Sequence, residues 1–165
     1  MKIGVISDTH GWWDDKYEEY FSDRDEIWHA GDIGSEEVLT RLEMIKPPVR
    51  AVYGNTDNYM VRMRCSETLR FKVEDMEVLL THIGGYPGNY ASQIRGEIYA
   101  SPPDIFVCGH SHILKVLFDK SLKMWCINPG AAGISGFHLT RTLLRFTIDG
   151  SKIKDMEVIE LSTQP

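Results

Sequence analysis

Cysteine is scarce in this chain of 165 residues: only Cys65, Cys108 and Cys126 occur, and no two stand in a Cys-x-x-Cys spacing. The three cannot all pair within the chain, which speaks against a disulfide scaffold and against a thiolate-only structural zinc site. Cys108 and Cys126 lie in apolar runs with nothing nearby to lower a thiol pKa, so they are expected to be reduced core residues rather than nucleophiles. Long hydrophobic runs are missing as well. Ile3-Gly4-Val5-Ile6 behind Met1-Lys2 is too short for a signal peptide, and no later stretch approaches membrane-spanning length, which predicts a cytoplasmic protein. Basic charge is in deficit: 18 Lys and Arg against 24 Asp and Glu give a formal net charge of -6. No general field draws such a chain to nucleic acid or to an anionic membrane, so any affinity for phosphate must be local.

What is present reads as a globular protein. A composition of 42% hydrophobic and 25% charged residues speaks against disorder. The length fits one domain, residues 1–165, which buries roughly 70% of the surface its unfolded chain exposes. No repeat, low-complexity tract or linker divides it. The first half alternates apolar runs with helical or loop segments: Lys2 to Ser7 then Asp14 to Tyr20, Glu26 to His29 then Glu36 to Ile45, and Val49 to Tyr53. That alternation predicts a parallel β-sheet with crossover helices. From Leu69 the texture changes to strand pairs, Leu69 to Glu74 with Glu77 to Leu80, and Lys115 to Asp119 with Lys123 to Ile127. A helix is expected between Asn89 and Ala100, stopped by Pro102 and Pro103, with a strand from Asp104 to Cys108. Arg141 to Ile148 and Lys152 to Ile159 read as a closing hairpin around Asp149-Gly150. The expectation is an α/β fold with two sheets.

Five segments place metal-binding side chains just after apolar runs: Asp8-Thr9-His10, Gly31-Asp32, Gly54-Asn55-Thr56-Asp57, Thr81-His82 and Gly109-His110-Ser111-His112. In extended chain, residues i and i+2 point the same way, so Asp8 with His10 and His110 with His112 can each converge on one small site. The glycines before Asp32, Asn55 and His110 are expected to let the backbone turn sharply at strand ends. Carboxylate, imidazole and amide together suit Mn²⁺, Fe, Zn²⁺ or Ni²⁺ better than Ca²⁺, and a catalytic metal better than a structural one. No single pair is specific; five in one short chain are hard to dismiss.

Their order resembles the calcineurin-like metallophosphoesterase superfamily, whose pattern is D-x-H, G-D, G-N-H-D, a lone His and G-H-x-H, and in particular its small YfcE-like phosphodiesterase branch. The resemblance spans about Met1 to Arg145. It implies a two-sheet β-sandwich flanked by helices, the four-layer α/β/β/α arrangement. It also implies two divalent metal ions per chain, Mn first, with Ni, Fe or Zn as alternatives. Asp8, His10 and His112 would bind one ion, Asn55, His82 and His110 the other, and Asp32 would bridge them. The implied reaction is hydrolysis of a small phosphate ester by a metal-bridging hydroxide, since coordination lowers the pKa of water to roughly 7. The chain departs from the superfamily at Thr56, where many members carry a histidine able to protonate the leaving oxygen. The YfcE-like branch lacks it too, which favours phosphodiesters with good leaving groups over alkyl monoesters and leaves Asp57 to cap or orient its loop.

Other residues have two readings each. His138 either reaches a phosphate oxygen beside the metals, as a catalytic residue with Asp32, Asn55 and His110, or is a loop residue with a solvated side chain. His29 alternates away from Asp32 along its strand and reads either as a residue that supports the site from behind or as packing. Trp12 and Trp13 either stack on a base or aryl leaving group, or pack at the next helix or at a contact in a homo-oligomer; packing is favoured slightly. Arg62 and Arg64, after Asn58-Tyr59, either contact a phosphate or form a charged surface face; the surface face is favoured. Two competing functions share the implied fold. One is a non-catalytic interaction scaffold, such as the retromer subunit that resembles this family. The other is a nuclease, which would call for a basic stripe or groove that is not visible here.

Overall fold

The computed structural model describes residues 1–161. The elements follow the order β1 (Lys2–Ile6), α1 (Lys16–Phe21), β2 (Glu26–His29), α2 (Glu36–Met44), β3 (Val49–Ala51), α3 (Tyr59–Arg64), β4 (Thr68–Val73) and β5 (Met76–Thr81). Then come β6 (Gly85–Tyr86), β7 (Asn89–Tyr90), α4 (Ser92–Ala100), β8 (Ile105–Val107), β9 (Lys115–Asp119), β10 (Met124–Asn128), β11 (Arg141–Asp149) and β12 (Lys152–Leu161). They build two five-stranded sheets, ordered β12-β11-β1-β2-β3 and β4-β5-β8-β10-β9, with β6-β7 as a separate ribbon.

Both sheets are mixed. In the first, β1, β2 and β3 run parallel, while β11 pairs antiparallel with β1 and carries β12 outward. In the second, β5, β8 and β10 are parallel between the antiparallel edge strands β4 and β9. The period-two alternation of a strand sorts the side chains. Ile3, Val5, Trp28, Leu144 and Phe146 point inward from the first sheet and meet Val78, Leu80, Ile105, Val107 and Ile127 of the second. The opposite parity, Ile6 and Ile27, packs under Tyr17 and Phe21 of α1 and Val38, Leu39 and Leu42 of α2. On the far side Leu79, Phe106, Cys108 and Cys126 pack under Ile94 and Ile98 of α4. Four layers result, helix, sheet, sheet and helix, because each sheet has two apolar faces to cover.

The carboxyl ends of β1, β2, β3, β5 and β8 lead into the five segments that carry the candidate ligands, which the fold gathers at one end of the sandwich. The structure differs from expectation in three places. Asn89 and Tyr90 form β7 against β6, so the helix starts only at Ser92. Helix α3 was not anticipated, because six residues with Tyr59, Met60 and Met63 exposed show no apolar periodicity; it is set by Asn58, whose side chain accepts from the Val61 N–H. The first sheet is not wholly parallel, since the C-terminal hairpin completes it. Among the described residues no helix is long and apolar enough to cross a membrane.

Candidate metal centre

Local backbone conformation is the first sign that this end of the sandwich is special. Asp8, His10, Asp32, His110 and His112 all have left-handed backbones, with φ of 55°, 47°, 51°, 68° and 55°. A non-glycine residue in that region costs on the order of 1–3 kcal/mol and persists only where its surroundings hold it. The expectation that the preceding glycines supply the turns is therefore only partly met. Gly31 does have φ of +90°, but at Gly54 and Gly109 the need is for close approach. A Cβ on Gly54 would collide with Asp32 Oδ1, and one on Gly109 with Ser7 Oγ. The chain turns at the candidate ligands themselves.

The side chains gather into two groups whose donor atoms lie within 4.8 Å of one another: Asp8, His10 and His112, and Asp32, His82 and His110. Asp8 is fully buried; Oδ2 accepts from Ser7 Oγ at 2.6 Å and from the His110 N–H at 3.1 Å. Its Oδ1 has no hydrogen-bond partner, although His112 Nε2 lies 3.2 Å away. Asp32 Oδ1 accepts from the Thr56 N–H at 2.9 Å, while Oδ2 lies 3.3 Å from His82 Nε2 and 3.9 Å from His10 Nε2. Asn55 is exposed and lines a cavity of about 200 Å³ together with His82.

The hydrogen-bond pattern assigns the imidazole tautomers. A carbonyl can only accept, so His82 Nδ1 donates to Ala30 O at 2.8 Å, and in the neutral ring Nε2 is bare. His138 Nε2 donates to Gly133 O at 2.9 Å, so its Nδ1 accepts from His112 Nδ1 at 3.2 Å, and His112 Nε2 is bare in turn. Each bare nitrogen faces a carboxylate oxygen, lone pair against lone pair. His112 Nε2 also lies 3.2 Å from His10 Nε2, which can donate to it, whereas His82 Nε2 has no partner; a positive centre beside the carboxylates would satisfy His82 Nε2 and the orphaned Asp8 Oδ1. A proton serves in part: hydrogen bonding to Asp8 raises His112 despite burial, and burial of His82 is outweighed by Asp32 and Asp8, so both histidines are held above their ordinary value. For Asp32, burial alone would raise the carboxyl, but the His82 contact and the Thr56 N–H hold it well below the usual carboxylate range. The orphaned Asp8 Oδ1 and His82 Nε2 and the mixed oxygen and nitrogen donors fit divalent metal ions.

Further side chains support these loops, among them Asp57, whose expected role is to cap or orient its own. Asp57 accepts three backbone N–H groups, from Ile33, Gly34 and Gly54, and so locks two ligand loops together. Arg62 bonds the carbonyls of Gly54, Asn55 and Asp57 and stacks on Tyr53 rather than forming a free charged face. Arg64 does pair on the surface, with Glu43 and Glu36. Asn128 Nδ2 donates to Gly109 O at 2.7 Å, steadying the His110 loop; only its place before Pro129-Gly130 hinted at this. His29 is buried and satisfied, donating through Nε2 to Thr9 Oγ1 and accepting from the Gly31 N–H, and burial drives its pKa down to about 4. Trp13 packs edge-on against Tyr17 and under Arg41. Burial pushes the Cys65, Cys108 and Cys126 thiols up to about 11, 12 and 11, in keeping with inert core residues.

Comparison with known proteins agrees with this geometry. The model of the calcineurin-like phosphoesterase superfamily domain matches residues 1–151. A probable metallophosphoesterase of Methanothermobacter thermautotrophicus is 34% identical over 96% of this chain and 92% of its own length. A phosphodiesterase of Methanocaldococcus jannaschii is 26% identical over 79% of this chain and 83% of its own. Among solved structures, an archaeal phosphodiesterase superposes with a TM-score of 0.75 at 24% identity, covering 98% of this chain and 100% of that one. A Vps29 of Entamoeba histolytica complexed with zinc gives 0.76 at 17% identity, covering 99% and 100%; at such identities the likeness is one of fold. A sequence match over nearly the whole chain and two carboxylate–histidine groups at its strand ends lead to one assignment: this chain belongs to the calcineurin-like phosphoesterase superfamily.

Proposed function

We propose that this metal-dependent phosphoesterase works with two divalent ions, Mn²⁺ first and Ni²⁺, Fe or Zn²⁺ as alternatives, and hydrolyses small phosphodiesters. Asp8, His10 and His112 would hold one ion and Asn55, His82 and His110 the other, with Asp32 between them. The observation that carries the reading is the position of Asp32 Oδ2, near His82 of one group and His10 of the other. Such ions supply positive charge for a phosphoryl group and acidify water toward neutrality.

The chain's own residues do the rest. The Thr56 N–H fixes Asp32 Oδ1, so Oδ2 is left facing the centre. Thr56 contributes its backbone here; its hydroxyl is a poor acid, and a positioned acid is worth roughly 10² to 10⁴-fold when a group leaves poorly. His138, with one nitrogen on Gly133 O and the other on His112, orients that histidine; this supports a positioning role over proton donation. All seven ligand positions hold suitable residues, which supports catalysis over a scaffold role.

Hydrolysis of bis(p-nitrophenyl) phosphate and p-nitrophenyl phosphate, each with Mn²⁺, Ni²⁺, Fe²⁺ and Zn²⁺, tests the proposal alongside metal analysis. The expected result is two ions per chain, a strong preference for the diester and a steep dependence on leaving-group pKa. Full activity with one ion or none, or a preference for the monoester, overturns it.

A further inference from the structure

Beside His110 the fold opens a cavity of about 550 Å³, walled by Ile83, Tyr86, Arg95, Ser111 and Lys115 among others. That size suits a nucleotide-sized group. Its charge is unusual for this chain. Although acidic residues outnumber basic ones by 24 to 18, no Asp or Glu lines the cavity, while Arg95 and Lys115 both do.

The arginines show how uncommon this is. Seven of the nine are ion-paired, and Arg62 is consumed by backbone carbonyls and Tyr53. Arg95 is the one arginine among the described residues whose side chain has no hydrogen bond, ion pair or ring contact. Lys115 likewise meets no carboxylate; its Nζ lies 4.0 Å over the Tyr86 ring, which places the ammonium on the cavity wall. Two cations kept free of carboxylates, on the wall of a cavity that shares His110 with the metal centre, are disposed to meet an anion carried by whatever occupies that centre.

We propose that this cavity takes one arm of the diester and that Arg95 and Lys115 recognise a second phosphate group on that arm. The proposal rests on the phosphodiesterase reading and deepens it: the substrate class is a small diester bearing an additional phosphate, rather than one with uncharged arms.

The test compares two chromogenic esters that differ by one phosphate, thymidine 5′-(p-nitrophenyl phosphate) and its 3′-phosphorylated counterpart, on the metal-loaded protein. The wild type should favour the 3′-phosphorylated ester in kcat/KM by roughly tenfold or more, the scale of charge-assisted hydrogen bonds. In the double variant Arg95→Ala, Lys115→Ala that ratio should fall to near one, while Lys115→Arg should keep most of it. Calorimetry runs in parallel, with thymidine 3′,5′-bisphosphate against thymidine 5′-phosphate, and the ratio of Kd values should behave the same way. A wild type that does not discriminate, or a double variant that still does, overturns the cavity assignment. Cleavage of neither ester would sink the phosphodiesterase reading instead, and the Kd ratios would still decide the cavity.

Discussion

The Asp8–His10–His112 group and the Asp32–His82–His110 group use the same residue types but are held in different ways. In the second, His82 is braced by a main-chain carbonyl, Ala30 O, and Asp32 by a main-chain N–H, Thr56. In the first, His112 is braced by a side chain, His138, on a loop where Ile134, Phe137 and Leu139 are all exposed. One brace comes from the main chain and cannot be deleted by substitution; the other is a single imidazole. The groups are also linked, since Asp8 of one accepts the backbone N–H of His110 of the other. Main-chain braces make the second group the more rigid of the two, and the single imidazole makes the first the more easily tuned.

The largest effect should come from the carboxylates. Asp32→Asn should lower kcat by on the order of 10³-fold and reduce occupancy of both ions, because Asp32 Oδ2 is near both groups. Asp8→Asn should deplete mainly one ion. Metal stoichiometry of the two purified variants decides this, and equal depletion in both would erase the contrast.

Next is Asp57→Ala, which strands three backbone N–H groups that Asp57 now satisfies. A stability loss of roughly 3 kcal/mol is expected, from the cost of unpaired buried donors. Denaturant unfolding reads it directly. A loss below about a third of that would mean that water replaces the carboxylate.

His138→Ala probes the side-chain brace. Removing a residue that orients a metal-binding histidine typically costs 10- to 100-fold in metal affinity or activity. The loss should fall on one ion only and be partly restored by His138→Gln, whose amide oxygen can accept from His112. Titration showing both ions equally weakened would place His138 elsewhere in the mechanism.

A smaller contrast lies in the protons. In the metal-free protein His29 should stay neutral down to pH of about 4, whereas His82 and His112 should stay charged above 6.5. The unfolded chain takes up a proton on His29 near 6.5 and the folded one does not, so this residue lowers stability as pH falls from 6.5 toward 4. His82 and His112 act with the opposite sign: their stabilisation is complete below 6.5 and fades as pH rises through their raised values. Imidazole NMR titration separates the three, and a common midpoint near 6.5 would remove the contrast.

The order of residues alone was enough to single out the side chains that the fold brings together. Ligand-bearing segments follow apolar strands at i, i+2 spacing, and that relation is local, so Asp8, His10, Asp32, His82, His110 and His112 were legible, as were most strands and the closing hairpin. Their division into two groups came from a family resemblance, not from spacing. Tertiary structure alone decided what braces them. His138 meets His112 across 26 residues, Asp57 reaches Ile33 and Gly34 across 24 and 23, and Asp8 holds His110 across 102. Arg95 and Lys115 share a cavity only because the β6–β7 ribbon, the start of α4, the loop after β8 and the start of β9 come together to line it. The reason is physical: strand and turn preferences act within a few residues, whereas a hydrogen bond between loops exists only once two sheets have packed and brought their carboxyl ends together.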